Sequence, residues 1–296
     1  MKKRLIKAII KYKKNITKKT KIYLAYLKIK FLNEIQYKIA ALAGIITQFA
    51  WGGMYIMLYT AFLKNGNAND YSVVQLSTYI WLHQAFFMLY NTWSVDRDIL
   101  EQCQTGSIAM ELVKPIDLYS IWHAKTIGRK VALTLLRAIP ILSICSMPFL
   151  GEYSISSPQN IQVFLLFIVT LILAALVLMA YLMFLYVCAM KLISSKGIKL
   201  AFQIVLEALS GAVVPIAFMP DIVIKVIKLT PFYYMQNIPF NIYNGYITNS
   251  YEILKIILLQ ILWIIVLSVI GRIIMRKQLR NIIVQGGWYE IIFKIF

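Results

Sequence analysis

One long stretch of this chain, from Tyr153 to Met190, contains no Asp, Glu, Lys or Arg. A soluble domain has no need for so long an uncharged run, whereas crossing a bilayer takes about 20 predominantly apolar residues. Of the 296 residues, 60% are hydrophobic and 15% are charged, compared with roughly 45–50% and about 25% in globular domains. We therefore predict an all-α polytopic membrane protein.

The placement of the basic residues predicts the orientation of this membrane protein. The formal net charge is +19, and the lysines and arginines gather in the first 30 positions and beside the apolar runs. Such flanks are typical of the cytoplasmic side, where they face an anionic leaflet. We therefore expect membrane lipids and not nucleic acid as the partner of these charges, and we expect both termini to be cytoplasmic.

The apolar pattern predicts six transmembrane helices within a single membrane domain, residues 32–296. Residues 1–31 precede this domain, and their apolar side chains recur at helical spacing among lysines. That pattern favours an amphipathic interfacial helix in the headgroup plane, although a disordered basic tail is an alternative. The predicted spans are about residues 39–63, 73–93, 131–150, 161–190, 198–214 and 253–271.

A proline-rich segment, residues 215–250, separates the fifth and sixth spans and is too apolar for an ordinary solvated loop. Short apolar stretches bounded by prolines are typical of re-entrant helices, which we expect near residues 221–229 and 239–246. A seventh span is rejected because it would place the basic carboxyl end outside. The four prolines are Pro215, Pro220, Pro231 and Pro239.

The segment between spans two and three, residues 96–118, is the densest charged interval between the apolar runs. Gly106 interrupts it, and Ser107 is suited to cap a short helix over residues 108–113. Pro115 then ends that helix, because proline lacks the N–H that a helix interior requires. We predict a compact helical knob outside the membrane, and we call residues 106–115 the knob below.

The apolar residues of the knob favour contact with another protein. We expect Ile108, Met110 and Leu112 to be exposed amid mixed charges, which suits a short helix that docks in a groove. The alternative is a loop that packs only on its own helix bundle.

Two stretches, QTGSIAMELVKPIDLY after span two and VVPIAFMPDIVIKVIKLTPFYYMQNIPFNIYNG before span six, resemble those of a known family. The chain is similar over essentially its whole length to the membrane subunits of type 2 ABC transporters. The closest resemblance is to the bacterial daunorubicin-type exporters, whose permease and ATPase are separate chains. One departure is Cys103, which stands where the family pattern has an aliphatic residue. The residues that carry the resemblance are Gly106, Lys114, Pro115, Pro220, Pro231, Phe232, Pro239 and Gly245.

The resemblance implies a permease subunit in a bacterial plasma membrane that acts with two copies of an ATPase. The second permease would be identical or related, and the cargo amphipathic or lipid-like. The segment after span two would contain the coupling helix that fits the ATPase. The residues it would use are Gly106, Ser107, Ile108, Met110, Glu111, Leu112, Lys114 and Pro115.

The chain has no G-x-x-x-x-G-K-[ST] sequence, which P-loop ATP binding requires. We therefore expect no cofactor in this chain, with ATP and Mg²⁺ bound by the ATPase partner. The sequence also shows no cluster of His, Asp and Glu within the spans and no inverted repeat. These observations count against the two alternatives, an integral membrane enzyme and an ATP-independent carrier or channel.

Two ionisable residues fall inside predicted spans, where each costs several kcal/mol unless it has a partner. Glu207 is eight residues beyond Lys199, about 12 Å into the membrane, and Arg137 is seven residues beyond Lys130, about 10 Å from the same side. We hypothesise that Arg137 and Glu207 pair, or that Glu207 faces a polar cavity between two protomers. Gln203 lies on the same predicted polar stripe as Glu207.

Overall fold

The computed structural model describes residues 2–65, 72–191, 195–212, 214, 216 and 219–280. Within these ranges the chain is helical and contains no β-strand. Pro215 and the end of the carboxyl-terminal region, residues 281–296, lie outside the described residues. The predicted all-α class is therefore confirmed for the described part of the chain.

The described residues form α-helices joined by short connections and two 3₁₀ turns, Pro148–Tyr153 and Pro231–Tyr234. We number the α-helices in chain order. They are α1 Lys2–Ile35, α2 Lys38–Asn65, α3 Val73–Ala85, α4 Phe87–Tyr90, α5 Arg97–Thr105, α6 Ile108–Leu112, α7 Leu118–Cys145, α8 Ile161–Ala189, α9 Ser195–Ser210, α10 Asp221–Ile227, α11 Asn237–Tyr243 and α12 Ser250–Leu279.

Three of the described helices are long and apolar enough to cross a membrane. They are α2 over Lys38–Leu63, α8 over Ile161–Ala189 and α12 over Ser250–Leu279. The chain is thus a multi-pass integral membrane protein. The other three predicted spans correspond to the pair α3 and α4, to α7, and to α9, whose 16 residues extend about 24 Å.

Helix α7, which contains the third predicted span, begins well before that span and ends five residues short of its predicted end at residue 150. Helix α7 starts at Leu118, because the Asp117 carboxylate accepts a hydrogen bond from the Ser120 N–H at 3.1 Å and so caps the helix. It ends at Cys145, and Pro148 opens a 3₁₀ turn instead of continuing the helix to residue 150. Only its second half is uncharged enough for the hydrocarbon core.

The second predicted span is also shorter and is broken. Helix α3 ends at Ala85, α4 ends at Tyr90, and residues 91–96 are mostly buried but irregular. The fully buried Lys130 of α7 satisfies this irregular backbone, because its Nζ donates to the carbonyl oxygens of Met88 and Asn91 and to Ser94 Oγ. The helix therefore ends before residue 93, the predicted end of this span, and a lysine takes the place of helical hydrogen bonds.

Helix α8 lies at the centre of the hydrophobic core and packs against α7, α9, α11 and α12. Along its inner faces Val177, Leu178, Leu182 and Tyr186 are fully buried. The Tyr186 hydroxyl accepts a hydrogen bond from the Asp96 N–H at 2.8 Å. The uncharged run that identified this membrane protein thus also anchors the start of the charged segment between spans two and three.

Helix α1 packs along the first half of α7 and extends four residues beyond its predicted end at residue 31. Gly128 of α7 touches the backbone carbonyl of Leu27, where a side chain on residue 128 would collide with α1. An ion pair between Arg129 and the buried Glu34 then continues the contact. The amphipathic helix is therefore attached to the bundle and does not merely rest on the membrane surface.

The segment between α9 and α12 folds back into the bundle. Its helices, α10 and α11, end at Ile227 and Tyr243, slightly earlier than the predicted ends at residues 229 and 246. Phe240 of α11 is fully buried and contacts the ring of Tyr79 at a centroid distance of 5.8 Å. Packing against other helices, and not only lipid, accounts for the apolar character of this segment.

Candidate functional site

The knob begins with a sharp break between α5 and α6. Gly106 adopts a left-handed conformation with φ of 74° and caps the carboxyl end of α5. Glycine reaches this conformation without a steric penalty, which is why it commonly follows the last helical residue. The break predicted at Gly106 is present, and it sets the direction of α6.

The predicted cap at Ser107 is wrong. Ser107 is itself helical, with φ of −66° and ψ of −4°, and its side chain makes no capping bond. Its hydroxyl instead lies 2.8 Å from the Thr105 hydroxyl. Helix α6 ends at Leu112, close before Pro115, which lacks the N–H that a continuing helix would need and disfavours a helical conformation at Lys114.

The exposed residues of the knob differ from the prediction. Ile108 is buried with 2% exposure, whereas Met110 is 75% and Val113 is 79% exposed. Residues three apart share a helix face, so Ile108 and Glu111 turn inward while Met110 and Val113 turn outward. Leu112 is partly buried. The outward apolar pair is therefore Met110 and Val113, and the expected exposure of Ile108 is corrected.

The inward face of the knob is attached to α7 and α1 through Glu111. The Glu111 carboxylate pairs with Lys114 at 2.9 Å and with Lys125 of α7 at 3.9 Å. Both lysine ammonium groups lie over the ring of Tyr26 in α1, at 5.9 and 5.5 Å from its centroid. The hydrogen bond from Lys114 to Glu111 raises the pKa of that lysine. The knob is thus held against two longer helices.

The chain enters this region through a buried charge cluster. The Asp96 side chain is fully buried and lies 3.0 Å from Lys30 of α1, which also reaches Asp98 at 2.7 Å. Burial opposes the charge of Lys30, but the hydrogen bonds and charges of Asp98 and Asp96 raise its pKa overall. The hydrogen bond from Lys30 lowers the pKa of Asp98. This cluster locks α5 to α1.

The chain leaves the knob through a contact with α12. Arg272 pairs with Asp117 at 2.9 Å, donates to Ser120 Oγ at 3.0 Å, and lies over the Tyr119 ring at 4.9 Å. Pro115 follows Lys114 and precedes Asp117, so the knob is connected at both ends to long helices. The knob and the residues that flank it are thus attached to α1, α7 and α12.

Inside the membrane domain, Gln203 of α9 is buried and binds the irregular segment after α4. Its Oε1 accepts hydrogen bonds from the Thr92 N–H at 2.6 Å and from the Thr92 hydroxyl at 2.5 Å. Its amide nitrogen donates to the Glu207 carboxylate. Gln203 and Glu207 thus belong to one hydrogen-bonded unit, as their predicted shared stripe implies.

The structure does not pair Arg137 with Glu207. The Arg137 guanidinium lies against Gly44 of α2, where any side chain would collide with it. Within the described residues no carboxylate lies within ion-pair distance of Arg137. Arg137 therefore contacts α2, and the glycine that accommodates it is part of that contact.

Glu207 instead borders a small polar cleft between α3, α4, α9 and the segment before α11. Sequence reasoning identified Gln203 and Glu207 but missed the other lining residues, because single polar residues within apolar runs carry no signal of their position. The cleft is lined by His83, Phe87, Tyr90, Asn91, Gln203, Leu206, Glu207, Ala212 and Gln236.

The residues singled out before the last span lie at the other end of α12 from Arg272. Pro220 immediately precedes α10 without a side-chain capping bond, Pro231 and Phe232 open the 3₁₀ turn, and Pro239 lies inside α11. The Phe232 ring contacts Tyr181 of α8 at a centroid distance of 5.2 Å. Gly245 has a φ of 69° and lies against the Gln159 amide. These residues shape the fold-back of the chain.

The described residues contain no group of His, Cys, Asp and Glu side chains that could hold a metal ion. The two candidate features are thus the knob, with its outward apolar pair, and the polar cleft at Glu207. A protein-family model described as ABC-2 family transporter protein matches residues 49–286, which is most of the chain and includes both features. No curated protein matches the chain.

Proposed function

Because this chain belongs to the ABC-2 family of transporter membrane proteins, we propose that it is the permease subunit of an ATP-driven exporter of the daunorubicin-type branch. Its cargo would be an amphipathic or lipid-like compound. Members of this family are membrane permeases that work with ATPase subunits. In our proposal two ATPase copies bind ATP and Mg²⁺, and two permeases, identical or related, form the membrane part in a bacterial plasma membrane.

The observation that carries this proposal is the outward apolar pair of the knob. Met110 and Val113 are more than 70% exposed on a short helix outside the long apolar helices, and a protein surface that excludes water from them would gain from their burial. The rest of residues 106–115 serves to aim this pair. Gly106 sets the direction of α6, Ile108 anchors it, and Glu111 with Lys114 ties it to α7 and α1.

The attachments of the knob support a coupling role. The cluster at Lys30, the contacts at Tyr26 and the pair of Arg272 with Asp117 join the knob and the residues on either side of it to three long helices. Closely packed side chains and ion pairs have low compressibility and transmit displacement. Closure of the ATPases would therefore move these helices together. The spans that would rearrange at the protomer interface are the first, second and fifth.

The polar cleft at Glu207 is the part of the pathway that we assign to this chain. A carboxylate inside a membrane domain is costly and marks a functional site by default. Gln203 orients it through a direct hydrogen bond. We propose that Glu207 faces the cargo path between the permeases, that the buried Gln203 positions it there, and that Arg137 fixes α2 to α7.

We further propose six spans with both termini in the cytoplasm, residues 1–31 as the interfacial helix and residues 215–250 as a re-entrant segment. Helices α2, α8 and α12 supply three spans. The pair α3 and α4, the second half of α7, and α9 would supply the others. The basic residues 272, 276, 277 and 280 at the end of α12 favour the cytoplasmic side.

The proposed function predicts stable association with an ATPase. We expect the full-length chain, purified in mild detergent from its native membrane, to carry with it a chain that has a P-loop. In proteoliposomes the complex should hydrolyse ATP. A substitution of the P-loop lysine in the partner ATPase should abolish hydrolysis, but the ATPase should stay bound to this chain. Purification of a chain that transports without any ATPase would contradict the proposal.

A further inference from the structure

A cleft outside the knob and the pathway lies between α1, α7 and α12. It has a volume of about 310 Å³, and both apolar and polar side chains line it. Leu24 and Leu27 come from α1, and Ser268 and Arg272 come from α12. The cleft therefore lies where the basic amphipathic helix meets the carboxyl-terminal end of the last span.

Two polar residues of this cleft, Arg272 and His123, can form further hydrogen bonds. Arg272 is 42% exposed, and its five N–H groups are only partly used by Asp117 and Ser120. The Nδ1 atom of His123 is buried and has no hydrogen-bond partner among the described residues. Burial and the charge of Arg272 lower the pKa of His123 to about 4, so the ring is neutral at pH 7. In one of its two neutral tautomers Nδ1 carries the proton and can donate a hydrogen bond.

An apolar groove continues from this cleft along α7. Ile127 lines both, and the groove, also about 310 Å³, extends between α7 and α8. On α8 it runs from Ile168 to Met179, about 16 Å at the helical rise. Its lining exposes essentially no polar surface. A cationic cleft that opens into an apolar groove of this length has the shape of a headgroup site followed by a chain site.

We propose that this cleft and groove bind one anionic phospholipid of the inner leaflet. Its phosphate would accept hydrogen bonds from Arg272 and His123, because the Ser120 hydroxyl already donates to Asp117 at 2.6 Å, and one acyl chain would follow α7 past Ile127. Charge complementarity selects the occupant. A zwitterionic headgroup would bring a second cation close to Arg272, whereas an anionic headgroup brings net negative charge, and free phosphate leaves the groove empty. The site rests on the proposed topology for its leaflet and shares the Arg272–Asp117 pair with the proposed coupling contacts, but it lies outside the proposed cargo path.

The neighbouring surface of α1 supports a lipid rather than a protein as the occupant. Leu24 and Ile29 are each 57% exposed on this part of α1. Lys21, which precedes them, and Lys28, which lies between them, are exposed as well. Alternating apolar and basic exposure suits the headgroup boundary of an anionic leaflet. The occupant would thus join α1 to α7 and α12 at the membrane surface.

The test is lipid binding to the delipidated full-length chain in detergent, measured by native mass spectrometry with phosphatidylglycerol and phosphatidylcholine. We expect phosphatidylglycerol to bind more tightly, and Arg272→Gln to weaken it about fivefold, since one cation near an anionic headgroup contributes about 1 kcal/mol. Ile127→Phe, which fills the junction with the groove, should weaken binding of the same lipid.

Matched variants separate this site from other effects. Arg276→Gln removes an exposed cation one turn further along α12 and should leave binding unchanged. Asp117→Asn breaks the same ion pair but keeps Arg272, and binding should be retained. Equal loss in Arg276→Gln and Arg272→Gln, equal binding of both lipids, or complete competition by inorganic phosphate would each overturn the proposal.

Discussion

Changing Met110 and Val113 together to glutamate is expected to abolish ATP-driven transport while the chain still folds and inserts. Both side chains are outward and largely exposed, so their replacement leaves the hydrophobic core intact. Burial of two carboxylates in an apolar groove would cost several kcal/mol unless each found a partner. We expect affinity for the ATPase to fall by at least tenfold, measured by titration of the purified subunits in nanodiscs.

The matched control for this pair is Gln104→Glu, which adds a negative charge to exposed surface just before Gly106. We expect it to retain nearly full affinity. Met110→Leu and Val113→Ile keep the apolar surface and should also retain it. A pair of glutamates that bound the ATPase as tightly as the unmodified chain would rule out the knob as the docking element.

The largest loss of stability is expected from Lys30→Met. The Asp96 carboxylate is fully buried, and Lys30 is its partner at 3.0 Å. Removing one member of a buried ion pair leaves an uncompensated charge, which typically costs about 3–5 kcal/mol. We expect the free energy of unfolding in detergent to fall by about that amount, or the midpoint of thermal unfolding to fall by several degrees.

A double variant separates loss of the pair from loss of Lys30 itself. Lys30→Met with Asp96→Asn removes both charges and should recover much of the stability lost in the single variant. The raised pKa of Lys30 stabilises the fold fully below its unfolded value of about 10.4, and the lowered pKa of Asp98 does so above about 4. The loss of unfolding free energy in Lys30→Met should therefore be constant from pH 6 to 9. A loss that disappeared at neutral pH would contradict this ion pair as its cause.

Hydrophobic length and turn residues were enough to predict the helical class, because a bilayer requires long apolar helices and glycine and proline interrupt them. The break at Gly106, the start of α10 after Pro220 and the long apolar helix α8 all follow from such local rules. The family resemblance, carried by Gly106, Lys114, Pro115 and the prolines before span six, is confirmed at the level of the family model.

Features that depend on tertiary contact were not predictable. The side of α6 that faces inward is decided by Lys125 and Tyr26, which are distant in sequence, so the exposure of Ile108 was misjudged. Counting residues from the membrane edge places Arg137 and Glu207 at a similar depth. The count does not show which way each helix is rotated about its axis, and so does not show which side chains face each other. That rotation turns Arg137 toward Gly44 and leaves Glu207 with Gln203.

The most direct test of the account is photo-crosslinking from position 113 within the assembled transporter. A benzophenone amino acid in place of Val113 should form a covalent adduct with the ATPase in native membranes. The same group in place of Phe149, an exposed residue after α7, should form none. An adduct from position 149 but not from position 113 would contradict the assignment of the knob as the surface that couples this permease to ATP.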